Sequence, residues 1–297
     1  MAIPTTLAGS TVDPLVHHVD ERWTMAYAAS LGDTLPQYFD TVGGDVVAHP
    51  LFAVCPEWPV IVSSRRLSEE AGVAASEVQT SVHATHDVQI HRLVRPGDVL
   101  TTSLVTAGVV GIKPGAMSTT RLETVDADGR PVASTTQNGI YLGVPTEGLD
   151  MPDPNPLPAI EGAERVGEPD EFTVALAAGA AHTYTECARI WNPIHTDRAV
   201  ALAAGLPDII LHGTANLAYG VSAVVANRAD GQPELVRRLS CRFKAMVLLP
   251  STITIRVWQA NPTGQDTSTV PFEVLNEQGE PAVQNGLAVL GPAEVQS

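Results

Sequence analysis

The sequence predicts an α+β chain built from two related units, each an apolar helix followed by antiparallel strands that wrap it. Three observations carry this prediction. Strand-like segments come in hairpins: Ala116 to Val125 and Val132 to Leu142 flank the turn signal Asp126-Ala127-Asp128-Gly129. The elements also recur. Asp128-Gly129-Arg130-Pro131 precedes Gln137-Asn138-Gly139, and Gln278-Gly279-Glu280-Pro281 precedes Gln284-Asn285-Gly286, an offset of roughly 150 residues that reads as duplication. Arg95 to Val99 has a fainter counterpart in Leu249 to Ile253. Finally, Val144 to Glu171 holds six prolines and many acidic residues, which is linker composition. The expected division is 1–148 for a first unit, 149–171 for the linker and 172–297 for a second unit.

Asp20 to Leu31 reads as a helix, with Trp23, Tyr27 and Leu31 at one-turn spacing, stopped by Gly32 to Pro36. His49 to Val54 opens an apolar segment that Pro56 and Pro59 interrupt. Proline removes an N–H and crowds the preceding turn, so a kinked or short helix is expected there. Ser68 to Ala75 reads as a polar loop or small helix. Strand character starts at Val82 and continues through Val99 to Val110. In the second unit Phe172 to Leu176, Leu235 to Leu249 and Thr252 to Gln259 read as strands. Val270 to Leu275 and Pro281 to Leu290 close the sheet around Glu277-Gln278-Gly279.

An apolar content of 44% with 17% charged residues describes a soluble globular protein with a large core. The net charge of −16 argues against nucleic acid or an anionic membrane as a partner. Ile209 to Asn227 lacks charged residues, but His212, Thr214, Asn216 and Asn227 make it a buried helix rather than a membrane span. The N-terminal segment lacks a signal peptide's basic and apolar regions. Cys55, Cys187 and Cys241 are odd in number and show no metal spacing, which fits a reducing cytoplasm. His83, His86 and His91 lie in an alternating strand, where H-x-x-H points to mixed faces, so surface histidines are expected and no metal site.

Chemistry concentrates in Thr183 to Gly220. Asn192-Pro193-Ile194-His195 is a polar turn, and Thr196 and Asp197 offer caps for a helix from Arg198 to Ala204. Leu211-His212-Gly213-Thr214 then opens an apolar helix whose first N–H groups lack intrahelical partners, a suitable place for a developing oxyanion. A lone His beside Pro is more often structural than catalytic. Asn192 and the His-Gly step shift that balance, because together they supply a proton-transfer group and an oxyanion donor.

The residues Ala188 to His195 resemble the hydratase 2 signature of MaoC-like (R)-specific enoyl-CoA hydratases and dehydratases, S-G-D-x-N-P-x-H. Gly205-Leu206-Pro207 and Ile210-Leu211-His212-Gly213 match that family's G-x-P-x-x-x-H-G step. The resemblance covers the C-terminal half and implies a double hotdog fold: two hotdog units that form a pseudo-dimer within the chain, with a homodimer as a further option. It implies a hydro-lyase of fatty acid or polyketide metabolism acting on a 2-enoyl or 3-hydroxyacyl thioester. No cofactor is implied beyond the coenzyme A moiety of that small-molecule substrate. His195 would take the proton of water, Asn192 would orient the water or substrate, and the Gly213 amide would hold the thioester oxygen. Ile190 and His212 would line the substrate pocket. Arg242 and Lys244, in a cluster with Arg237 and Arg238, would meet the phosphates, unless the cluster is only a strand's charged outer face. Arg65-Arg66 and Arg92/Arg95 are alternative basic patches.

One departure bears on the reaction. The position of the family's catalytic Asp is Ile190, which cannot carry a proton. Glu186, His182 and His212 are the nearest replacements. Two alternatives therefore stand: the scaffold serves another reaction on a hydrophobic substrate (a thioesterase, isomerase or biosynthetic cyclase), or it is a non-catalytic acyl-CoA-binding subunit. In eukaryotic-type relatives the first half has lost the motif and its central helix is cut back. Ser30-Leu31-Gly32-Asp33 looks like such a remnant.

Overall fold

The main sheet is continuous through both halves, and its strand order is mirrored about its middle. The computed structural model describes residues 2–74 and 81–292, so Ala75 lies outside the described residues. The first half contains β1 (Ile3–Pro4), β2 (Thr11–His18), α1 (Glu21–Ser30), α2 (Pro36–Phe39) and α3 (Val54–Glu70). Then come β3 (Ser81–Ile90), β4 (Val99–Ile112), β5 (Gly115–Val125), β6 (Pro131–Leu142) and β7 (Thr146–Glu147), the last pairing with β1. The second half contains β8 (Asp170–Leu176), α4 (Ala180–Ala188), α5 (Arg198–Ala203) and α6 (Gly213–Arg228). It closes with β9 (Val236–Phe243), β10 (Ser251–Val257), β11 (Asn261–Pro262), β12 (Ser268–Leu275) and β13 (Pro281–Leu290). The order across the sheet is β2-β4-β5-β6-β3-β9-β13-β12-β10-β8. Read outward from the β3–β9 seam, corresponding strands of the two halves follow in the same order. This is the doubled hotdog architecture.

The duplicated turns explain how each closing hairpin holds its register. Asp126 Oδ1 accepts from the N–H groups of Asp128 and Arg130, and Asn276 Oδ1 accepts from those of Gln278 and Glu280. Gly129 and Gly279 both sit at φ 77°, where a side chain would be strained. The same local chemistry therefore folds both turns.

The helices depart from expectation in the first half. Helix α3 runs 17 residues through Pro56 and Pro59, against 16 for α6, so it is neither short nor cut back. Pro56 falls in the first turn, where its missing N–H has no intrahelical acceptor to lose, and Pro59 is the one interior proline. Ser68 belongs to this helix rather than to a loop. Helix α6 is buried along most of its length, including Leu217, Val221, Val224 and Val225, as a helix enclosed by a sheet should be.

Strand β9 ends at Phe243, earlier than Leu249, because the next residues turn to a different partner. The Leu211 N–H bonds the Val247 carbonyl (2.9 Å), and Ile210 bridges Leu248. That contact clamps the segment leading into α6. Strand β2, absent from the sequence reading, is an edge strand with no fully buried residue.

The seam also corrects two side-chain readings. Arg238 forms a two-pronged ion pair with Asp87 of β3 (2.8 Å each) and also donates to the Pro158 carbonyl. Arg237 donates to the Gly291 and Glu234 carbonyls. Half of the basic cluster is therefore structural. His83 and His86 are not surface residues on opposite faces. A register shift between His83 and Thr85 inserts an extra residue, which brings both rings to one face, 5.4 Å apart.

Candidate active site

Helix α4 ends by reversing sharply. Arg189 adopts a left-handed conformation (φ 57°), and the Ile190 N–H reaches back to the Thr185 carbonyl (3.1 Å). A non-glycine residue there costs about 1 kcal/mol, and the Arg189 side chain gains a compensating contact. Its guanidinium lies 4.0 Å over the Trp23 ring of α1. The reversal buries Ile190 and leads into a 3₁₀ turn, Pro193–His195, in which the His195 N–H bonds the Asn192 carbonyl (3.1 Å).

His195 is buried, and its Nδ1–H donates to the Ile210 carbonyl at 2.8 Å. That bond fixes the tautomer and leaves Nε2 as an acceptor. The ring stacks on His212, with centroids 3.7 Å apart and planes 27° apart. His212 Nε2 is within 3.1 Å of the Thr185 hydroxyl, and the Tyr184 ring stands 4.9 Å away. Burial pushes the His195 pKa down to about 4, opposed by the Ile210 bond. Burial also holds His212 well below the usual imidazole range, and its neighbour His195 adds to this. Two neutral imidazoles therefore lie face to face.

Gly213 follows His212 and opens α6, so its N–H belongs to the helix's unpaired first turn. Phe243 of β9 covers it closely: a Cβ added at Gly213 would lie 3.2 Å from Phe243 Cδ1. His195, His212 and Gly213 are thus brought together, through the stacked rings and the chain bond between the last two. Asn192 is half-buried in the same turn as His195, and its side chain makes no hydrogen bond with another described residue. Ile190 is buried at the helix reversal.

Other sequence candidates lie elsewhere. Glu186 is exposed on α4, and His182 is exposed with its Nε2 against the Thr196 carbonyl (3.0 Å), so neither takes the place of the missing carboxylate. Arg242 is exposed and alternates with Cys241 and Phe243, which puts it on the opposite face of β9 from Gly213. Lys244 is exposed just past the strand's end. Arg92 pairs with Asp98, Arg95 with Glu234, and Arg65 stacks on Trp58. Burial raises the Cys187 thiol, which does not favour a nucleophilic thiolate. Asp33 stands near His49 and Tyr38 in the first half rather than at His195.

The sequence reading missed how far the ring packing extends. From His212 it runs through Tyr184 to Tyr27 (5.7 Å) and on to His49 (5.6 Å). The Tyr27 and Tyr184 hydroxyls are 3.4 Å apart, and Tyr184 donates to Thr214. His49 accepts the Leu51 N–H at Nδ1, so its Nε2–H faces Ser222 of α6 (3.2 Å). Tyr27 was legible as a core position, but its polar end was not.

Residues 164–278 match the family described as MaoC like domain. The second half is similar to MaoC-like domains. Residues 6–135 match the FAS1-like, dehydratase domain region, which places the first half in related company. The peroxisomal multifunctional enzyme type 2 of Drosophila melanogaster is 28% identical over 222 residues, 72% of this chain and 36% of that protein. The chain therefore spans about a third of that relative's length. The peroxisomal enoyl-CoA hydratase 2 of Arabidopsis thaliana is 34% identical over 68 residues, 23% of this chain and 22% of that one. A crystal structure of a MaoC-like dehydratase from Phytophthora capsici superposes with a TM-score of 0.78 at 19% identity, covering 96% of both chains. That likeness carries the fold. Within the matched residues 164–278, the site described above coincides with the Asn-Pro-x-His and His-Gly steps. Among the described residues no helix is long and apolar enough to cross a membrane, and no cluster of metal-ligating side chains occurs.

Proposed function

We propose that this MaoC-like chain adds water to a 2-enoyl thioester, or removes it from a 3-hydroxyacyl thioester, with His195 handling both proton transfers. The supporting observation is the Nδ1–H bond from His195 to Ile210, which leaves a neutral Nε2 beside the start of α6. In hydration, Nε2 takes a proton from water as the hydroxyl oxygen bonds the β-carbon. The electron pair of the double bond moves to the α-carbon and thioester oxygen, where the Gly213 N–H and the α6 dipole stabilise it. The imidazolium then returns its proton to the α-carbon, so water is added with no net change at the enzyme. Asn192 orients the water, and His212 backs the imidazole. Ile190 removes the acid that would share this work, so a slow reaction is expected.

On this reading coenzyme A is part of the substrate, and no separate cofactor takes part. Arg242 and Lys244, both exposed, are the candidates for its phosphates, although Arg242 lies on the face of β9 away from Gly213. The divide between units at 149–171, a cytoplasmic location and a further homodimer belong to the same proposal.

With crotonyl-CoA, purified protein should slowly consume the enoyl absorbance, and His195→Ala should lower the rate by about 10² to 10⁴. Turnover that His195→Ala leaves intact would remove the imidazole from the mechanism. The buried, apolar Ile190 favours one second reading, a subunit that binds acyl-CoA without turning it over. Acyl-CoA binding with no turnover above background would select it, and absence of any acyl-thioester binding would select a repurposed scaffold.

A further inference from the structure

Strand β3 carries two histidines that the reaction above does not use. The bulge at His83 and Thr85 turns both rings to the face of β3 that packs on the helix layer. The His83 ring lies 4.8 Å from the ring of Phe243, the residue that also covers Gly213. One phenyl ring therefore separates the histidine pair from the candidate oxyanion donor.

His86 is buried, His83 is half-buried, and their hydrogen bonding is incomplete. His86 is 1% exposed, and neither of its ring nitrogens has a partner; His83 Nε2 is in the same condition. Nearby polar groups are committed to each other: Asn138 Nδ2 donates to Thr85, and Thr119 donates to Asn138 Oδ1. Packing alone does not require an imidazole here, since Val88 and Ile90 fill the next positions on the same face. Buried polar groups without partners weaken a fold, and a polar ligand that pairs with them recovers the loss as affinity.

We propose that His83 and His86 form a specificity site that hydrogen-bonds a hydroxyl or keto oxygen on the acyl chain of a thioester held at Gly213. The inference rests on the acyl-thioester reading given above. His86 offers one donor and one acceptor, and His83, whose other ring nitrogen bonds the Thr85 backbone, offers an acceptor at Nε2, so together they match an alcohol in both senses and a ketone in one. A carboxylate fits worse. Burial holds His83 to about 4 and His86 to about 3, so neither supplies a countercharge near neutral pH.

Titration calorimetry on the full chain tests this with hexanoyl-CoA against 5-hydroxyhexanoyl-CoA and 5-oxohexanoyl-CoA. At least one oxygenated ligand should bind about tenfold tighter or better, the gain expected for pairing a buried polar group. The difference should collapse in His86→Leu, and the same substitution should raise the thermal midpoint, which loss of a purely structural histidine would not do. Equal or weaker binding of both oxygenated ligands overturns the inference, as does a preference that survives in His86→Leu. If that variant does not fold, His83→Leu and the wild-type comparison decide. Failure to bind any of the three thioesters sinks the acyl-thioester reading itself, whereas binding all three alike sinks only the histidine site.

Discussion

At His195 the Ile210 carbonyl holds the Nδ1 proton, so the nitrogen left for chemistry is Nε2, and burial keeps it unprotonated down to about pH 4. The hydration rate should therefore stay level from neutrality to about pH 5 and decline only as Nε2 protonates. A profile of kcat/KM against pH that breaks near 6.5 instead would mean an exposed imidazole. Ile190 sets the other limit. Ile190→Asp should raise the hydration rate by about 10² or more while lowering the midpoint of urea unfolding, because a carboxylate replaces a buried sec-butyl side chain. An unchanged rate in a folded variant would show that the missing acid is not what limits this site. The Asn-Pro-x-His spelling was readable because a turn needs those residue types. The stacking of His212 on His195 was not, since nothing in the spacing fixes the path from Thr196 to Ile210.

Among the elements, α6 is where sequence and packing agree most closely. Its run without charged residues marks a helix buried along most of its length, and Gly220 sets how near the sheet it lies. A Cβ at Gly220 would meet Phe272 Cε2 at 2.6 Å and Cδ2 at 2.8 Å, and Gly286 of β13 faces the same ring. Gly220→Ala should cost about 1–3 kcal/mol by overpacking, despite alanine's better helix propensity. Urea unfolding measures this directly, and a stabilised variant would show that the helix has room to move away. Helix α3 was misjudged for a local reason: proline is disruptive where its N–H is needed, and at Pro56 it is not. The early end of β9 has a nonlocal cause, since Val247 serves the loop before α6 rather than the sheet.

On the scale of the whole molecule, burial of titratable groups makes stability depend on pH in both directions. His49, His83 and His195 are lowered to about 4 and His86 to about 3, from an ordinary value of 6.5. As pH falls from 6.5 the unfolded chain takes up these protons first, so each histidine removes about 1.4 kcal/mol of stability per pH unit until its folded pKa is reached. Glu57 acts oppositely. Burial raises it to about 8, with the Thr135 hydroxyl opposing, so its stability contribution is lost as pH rises from 4.5 to 8. His212 and His17 are lowered as well and act in the same sense, so the imidazoles outweigh Glu57 below 6.5, and between 6.5 and 8 Glu57 sets the slope. The thermal midpoint should peak near pH 6.5 and fall more steeply on the acid side; a flat acid limb would contradict the burial of the imidazoles.

Turn chemistry and periodicity act over a few residues, which is why the sequence alone determined the doubled helix-and-sheet plan, the matched closing hairpins and the Asn-Pro-x-His turn. Asp126 and Asn276 make the same bonds because they carry equivalent side chains at equivalent places. Only the tertiary structure decided what those pieces meet. It joined β3 to β9, set His212 against His195, used Arg238 at the seam and turned His83 beside Phe243 through a one-residue bulge. Each of these depends on register between segments far apart in the chain, and a one-residue shift changes the face a strand side chain occupies.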